Sequence, residues 1–207
     1  MLSIQTLTVG PLQENCYLLS DAETRQAVLV DPGDEAERII VALNGFDLTA
    51  VWLTHAHFDH IGALAAVHRQ FPVPVYLHPD DRELFARAAE SAAFFGLVLE
   101  QPELETTSLS HGQTLKLGAH EARCLFTPGH APGHIAFYLP EHGLVLAGDA
   151  LFQGSVGRTD LPGGDHAQLL ASIRRELLTL PDETRVLPGH GPETTVGAER
   201  RSNPFLG

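Results

Sequence analysis

His55-Ala56-His57-Phe58-Asp59-His60 sets three imidazoles and one carboxylate inside six consecutive residues. Just before it, Thr49 to Thr54 is an apolar run of the length and composition of a buried strand; just after it, Ile61 to Phe71 carries the three-four spacing of a helix. The four polar side chains therefore belong to a loop at a strand end. Packed together with no counter-charge, such groups are costly to desolvate and repel one another when protonated, and a divalent cation removes both problems. A solvent-exposed, histidine-rich loop is the plainer reading, and the spacing argues against it.

Three later segments repeat the device: Thr127-Pro128-Gly129-His130, Ala147-Gly148-Asp149 and Leu187-Pro188-Gly189-His190. Each follows an apolar run and ends on a side chain that can bind metal, with a glycine alongside that lets the backbone come close to an ion. His55, His57, Asp59, His60, His130, Asp149 and His190 are more ligands than one tetrahedral zinc accepts. They suggest two metal ions sharing one carboxylate.

Around these segments, residues 2–9, 14–20 and 26–31 read as strands in sequential hairpins. Asp34 is placed to cap a helix, with Glu37 three residues on and Ala36, Ile39, Ile40 and Leu43 on one face before Gly45. Strand, helix, strand alternation follows, with Val73 to His78 as a strand, Pro79 to Phe95 helical and Gln101 to Ser110 an irregular surface segment. Further strands are expected at 114–117, 121–126, 135–139, 144–147 and 185–187, and a helix at 165–178. Many short strands with helices after each set predict an α/β fold of the α+β type: a four-layer αββα sandwich, helices outside two packed sheets, as one domain over residues 1–207.

Composition narrows the function. The chain has 13 Lys and Arg against 26 Asp and Glu, a formal charge of −13, which disfavours nucleic acid and acidic lipid as partners. No apolar run reaches the roughly 18 residues of a membrane span, and no basic residue precedes Arg25, so a cytoplasmic, soluble protein is expected. Cys16 and Cys124 sit in apolar stretches, outside any CxxC pair, and read as buried free thiols. Of the 12 histidines, His68, His78, His111, His120, His142 and His166 fall outside the ligand pattern and read as solvent-facing. The sequence sets no oligomeric state.

The seven ligand candidates, in their order along the chain, resemble the metallo-β-lactamase superfamily. Within it the chain is similar to glyoxalase II-like (hydroxyacylglutathione hydrolase-like) thioester hydrolases, in the short bacterial form without a C-terminal helical domain. The likeness runs from Val30-Asp31-Pro32-Gly33 to Asn203-Pro204-Phe205. It implies that His55, His57 and His130 hold one metal, that Asp59, His60 and His190 hold the other, and that Asp149 bridges them. The ions would be zinc, with iron or manganese as alternatives. The implied reaction is attack of a metal-bridging hydroxide on the carbonyl of a small-molecule thioester such as S-lactoylglutathione, with Asp59 also orienting the nucleophile.

Asp31, at a strand end, and His134, four residues past His130, are candidates to hydrogen-bond a ligand imidazole; local turn contacts are the alternative for each. Arg158, in Gly157-Arg158-Thr159-Asp160, is the cation nearest the expected site and a candidate to bind an anionic thioester, unless it pairs with Asp160 and braces the loop. Where larger glyoxalase II enzymes carry a basic helical region, only Arg200 and Arg201 remain, which implies an open cleft. A persulfide dioxygenase, with one iron held by two His and one Asp, is the alternative enzyme, and a hydrolase of another ester or thioester is a further one. A nuclease fits the charge badly, and a structural zinc site would be closed and cysteine-rich.

Overall fold

Strands that run the same way end at the same edge of a sheet, and in this protein that rule places the chemistry. The computed structural model describes residues 1–207. They form two compact units, Met1–Leu109 with Lys116–His120, and Ser110–Leu115 with Glu121–Gly207.

The first unit is built on a six-stranded sheet in sequential order: β1 (Leu2–Val9), β2 (Glu14–Asp21), β3 (Gln26–Val30), β4 (Asp47–Trp52), β5 (Val75–Leu77) and β6 (Thr106–Ser108). β1, β2 and β3 pair antiparallel, whereas β3, β4, β5 and β6 pair parallel. All eight residues of β2 are buried, so both faces of that strand are covered, which is why it lacks a polar-out alternation. Leu18, Leu29, Val51, Leu53 and Leu77 form a core with Ile39 of α1 (Ala36–Ala42) and Leu64 and Val67 of α3 (Leu64–Gln70). Burying a leucine or valine of this kind contributes about 1.5–3 kcal/mol.

A second sheet, most of it in the second unit, has the order β14-β13-β10-β9-β8-β7: β14 (Thr194–Thr195), β13 (Arg185–Pro188), β10 (Leu144–Gly148), β9 (Ile135–Leu139), β8 (His120–Phe126) and β7 (Thr114–Leu117). β8 and β10 each pair antiparallel with β9, and β10 pairs parallel with β13, so β8, β10 and β13 point the same way. β11 (Leu151–Phe152) and β12 (Ser155–Val156) make a small hairpin. Val145, Ala147 and Val186 pack with Leu169 of α6 (His166–Ser172), Ile173, Leu177 and Val196 of α7 (Val196–Ser202) in a second core. No helix is long and apolar enough to cross a membrane.

Several boundaries differ from the sequence reading. Helix formation begins at Phe58, inside the ligand segment, as α2 (Phe58–Ile61), and breaks before α3 because the Ala63 N–H leaves the helix for the Pro32 carbonyl at 2.9 Å. Asp34 does not cap α1: Glu35 occupies the cap position in a left-handed conformation, and Asp34 accepts only the Glu35 N–H, at 2.6 Å. Residues 79–95 divide into a 3-10 turn, α4 (Arg82–Ala86) and α5 (Ala88–Phe94). The 165–178 helix widens over Ile173–Leu177, where the Leu178 N–H reaches back five residues to the Ile173 carbonyl. β6, β11, β12, β14 and α7 lie where no regular element was expected.

Candidate metal centre

β3, β4 and β5 deliver three segments to one edge of the first sheet. Asp31 follows β3, Thr54 and His55 follow β4, and Asp81 follows β5. Asp31 accepts the Thr54 N–H at 2.7 Å and the Thr54 hydroxyl at 2.6 Å. It also receives Nδ1 of His60 at 3.0 Å. A carboxylate only accepts, so Nδ1 of His60 is the donor and Nε2 keeps a lone pair. The same logic fixes His55: the one Thr54 hydroxyl proton goes to Asp31, so Thr54 Oγ1 accepts Nδ1–H of His55 at 2.9 Å and leaves Nε2 as the lone-pair nitrogen. Nε2 of His55 comes within 3.1 Å of Nδ1 of His57, and Nε2 of His60 lies 4.0 Å from Oδ2 of Asp59.

Ligand atoms of Asp31, His55 and His60 all fall within 4.8 Å of one another, and all three side chains are buried. Asp59 is more open, its side chain 18% exposed.

β8, β10 and β13 do the same in the second unit. His130 follows β8, Asp149 follows β10 and His190 follows β13, and the Gly189 N–H donates to the Gly148 carbonyl at 2.8 Å to hold the last two strand ends together. Oδ2 of Asp149 is 3.4 Å from Nε2 of His130 and 3.6 Å from Nε2 of His190, so one carboxylate oxygen serves two imidazoles. Nδ1 of His130 contacts the Arg158 carbonyl at 2.7 Å; a carbonyl only accepts, so Nε2 is again the lone-pair nitrogen.

Donors held about 2.0–2.1 Å from one tetrahedral ion are about 3.3–3.4 Å apart. The His55–His57, His130–Asp149 and His190–Asp149 separations lie close to that spacing. The chemistry of the donor set, imidazole nitrogens and carboxylate oxygens, with the tautomers of His55, His60 and His130 fixed from behind, fits divalent metal ions.

The remaining candidates divide. Asp31 stands behind His60 as described. Nε2 of His134 accepts the Asp149 N–H at 3.1 Å while its Nδ1 bonds Thr127 Oγ1 at 2.8 Å, so it supports the backbone of Asp149 instead of a ligand imidazole. Arg158 makes a bidentate pair with Asp160 at 2.8 and 2.7 Å, and this pair holds the Asp160 carboxyl down at about 2. The guanidinium is thus the loop brace, and it is the Arg158 carbonyl that touches a ligand candidate.

Only His111 and His166 of the six other histidines are exposed; His68, His78, His120 and His142 are half-buried, and His78 accepts the Asp80 N–H at 3.3 Å. Cys16 and Cys124 are free and buried, and burial pushes the Cys124 thiol up to about 12.

Two buried carboxylates escaped the sequence reading. Asp81 is fully buried and accepts the Ala56 N–H at 2.9 Å, between the two ligand candidates His55 and His57. Glu14 is 1% exposed and lies 3.8 Å from Nδ1 of His60. Its position at the start of the apolar run read as a strand over 14–20 is the signal the sequence offered.

Two glycines set how close these groups come. A Cβ at Gly33 would stand 2.0 Å from the Asp59 carbonyl, and one at Gly157 would stand 1.9 Å from the Asp149 carbonyl and 3.1 Å from Nδ1 of His130. Each unit thus packs its ligand candidates against a position that only glycine fits.

Comparison with known proteins supplies the family. Residues 9–190 match the family model described as the metallo-beta-lactamase superfamily. The chain belongs to that superfamily. It is similar to the probable metallo-hydrolase YqgX of Bacillus subtilis, 43% identical over 97% of this chain and 95% of that protein. It is also similar to the hydroxyacylglutathione hydrolase GloC of Haemophilus influenzae, 41% identical over 99% of this chain and 98% of that one. Among solved structures, TTHA1623 in a di-iron-bound form superposes with a TM-score of 0.90 at 50% identity, covering 98% of this chain and all of the other. The fold is the metallo-β-lactamase fold, a mixed α/β architecture built on two sheets.

Proposed function

We propose that this protein hydrolyses small-molecule thioesters of the glutathione type, S-lactoylglutathione among them, with two metal ions. His55, His57 and His130 would hold one ion and Asp59, His60 and His190 the other, with Asp149 shared between them. Such a pair supplies a water whose pKa is lowered towards neutrality and polarises a carbonyl oxygen.

The observation that carries the reading is Oδ2 of Asp149 facing Nε2 of both His130 and His190, the geometry a shared carboxylate needs. Asp31, through His60 Nδ1, and the Arg158 carbonyl, through His130 Nδ1, keep the ligand nitrogens in the lone-pair form. Asp59, the carboxylate of the His55–His60 segment and 18% exposed, is the group assigned to accept a proton from water and orient it. A thiolate leaves without a general acid, so none is required of the site. The likeness to GloC supports the thiol part of the substrate, and the likeness to a di-iron protein supports two ions, with zinc, iron and manganese all compatible with these ligands.

The test is hydrolysis of S-lactoylglutathione by the metal-loaded protein, followed as loss of the thioester absorbance. Turnover that disappears with a chelator and returns with added metal is expected. A loaded protein that leaves glutathione thioesters intact and consumes oxygen with glutathione persulfide would replace this reading with the dioxygenase one.

A further inference from the structure

A cleft of about 70 Å³ opens beside Asp59 in the first unit. One wall is the turn between β1 and β2, with Val9 and Leu12; the other is the segment after α5, with Leu97 and Val98. Phe58, the residue before Asp59, lines it as well, and its ring lies 5.3 Å from that of Phe95, which continues the apolar surface outward. Leu12 is 46% exposed, Phe95 44% and Val98 fully exposed. So much apolar surface at the rim of one small cleft is the usual mark of a ligand site.

The cleft is also preformed. Gly10, at a φ of +65°, donates its N–H to Glu35 Oε1 at 3.0 Å, and Arg38 donates to the Thr8 carbonyl at 2.8 Å, so the β1–β2 turn is tied to the start of α1. Its only polar side chains are the acids Glu14, Asp34 and Asp59.

We propose that this cleft takes the acyl chain of the substrate and selects acyl groups that are apolar and uncharged. The inference rests on the thioester reading and adds the acyl specificity to it. If Asp59 orients the nucleophile, the scissile carbonyl lies next to it, and one of the two carbonyl substituents enters the cleft. A glutathione tail would bring its carboxylates against three others, which like-charge repulsion disfavours. An alkyl chain meets matching walls, and the volume suits a short chain of a few methylene groups. The thiol part then leaves by another route, and an acyl group more apolar than lactoyl is the better substrate.

The test uses the metal-loaded protein and S-acyl glutathiones from acetyl to hexanoyl. Burial of about 0.8 kcal/mol per methylene predicts kcat/KM rising about threefold to fourfold for each one until the cleft is full. Val98→Asp and Leu12→Asp each put a charge at the mouth and are expected to lower the hexanoyl-to-acetyl ratio by about tenfold or more. A flat series, or a slope that survives both substitutions, would overturn the proposal. Calorimetric binding of uncharged hexanamide against acetamide judges the cleft without turnover: at least about tenfold tighter hexanamide, lost in Val98→Asp, is expected, and equal binding overturns it. Hexanamide selectivity in a protein that hydrolyses no thioester would leave the cleft standing and sink the thioester reading alone.

Discussion

The two units gather their ligand candidates in different ways. In the first, the ligand candidates come from one run, His55 to His60, and are held from behind by Asp31 and Asp81 at neighbouring strand ends. In the second, His130, Asp149 and His190 come from three separate strand ends, and their common focus is a single carboxylate oxygen. The first half is thus specified locally and buttressed by topology; the second exists only through topology. A damaged buttress should therefore weaken the first half, whereas loss of the shared group should dismantle the second.

The largest effect is expected there. Asp149→Ala should cut kcat/KM at least about 1,000-fold, roughly 4 kcal/mol, with loss of bound metal measured on the same sample. Gly157→Ala should approach the same result with every ligand intact, because its methyl group cannot coexist with the Asp149 carbonyl. Near-normal metal content in Gly157→Ala would show that the second half tolerates displacement.

Asp59→Ala comes next, with turnover lowered at least about 100-fold, or about 2.7 kcal/mol. Full turnover at full metal occupancy would remove Asp59 from the chemistry and leave the first half without its distinguishing role.

Buttress substitutions should be milder. Asp31→Asn alters the group that fixes both His60 and Thr54, and metal affinity in a competition titration is expected to fall about 10- to 100-fold. Asp81→Ala leaves the Ala56 N–H without its acceptor and should cost about 1–3 kcal/mol in denaturant unfolding, with Asp81→Asn costing less. Equal stability of Asp81→Ala and the parent chain would mean that the His55 to His60 segment holds itself.

This contrast also explains what the sequence made legible. The contiguous ligands announce themselves, and the scattered ones do so because each follows an apolar run and carries a neighbouring glycine. The strands are apolar runs and most were found, since both follow from hydrophobic pattern. Asp81 was not visible: in His78-Pro79-Asp80-Asp81 it resembles the acidic start of a surface helix, and only the pairing of β4 with β5 buries it against Ala56. The break after Ile61 was hidden for a similar reason, because the Ala63 N–H is claimed by Pro32, far away in sequence. Arg158 was noticed for its charge, but its carbonyl makes the contact with His130. Backbone roles of this kind leave no trace in residue type.

The proposed function turns on two metal ions that share the Asp149 carboxylate. Elemental analysis of the parent chain and Asp149→Ala, each purified from the same metal-supplemented culture, tests it most directly. Two equivalents per chain in the parent, with both lost or greatly weakened in Asp149→Ala, is the predicted result. One equivalent in the parent, or two that survive the substitution, would contradict it.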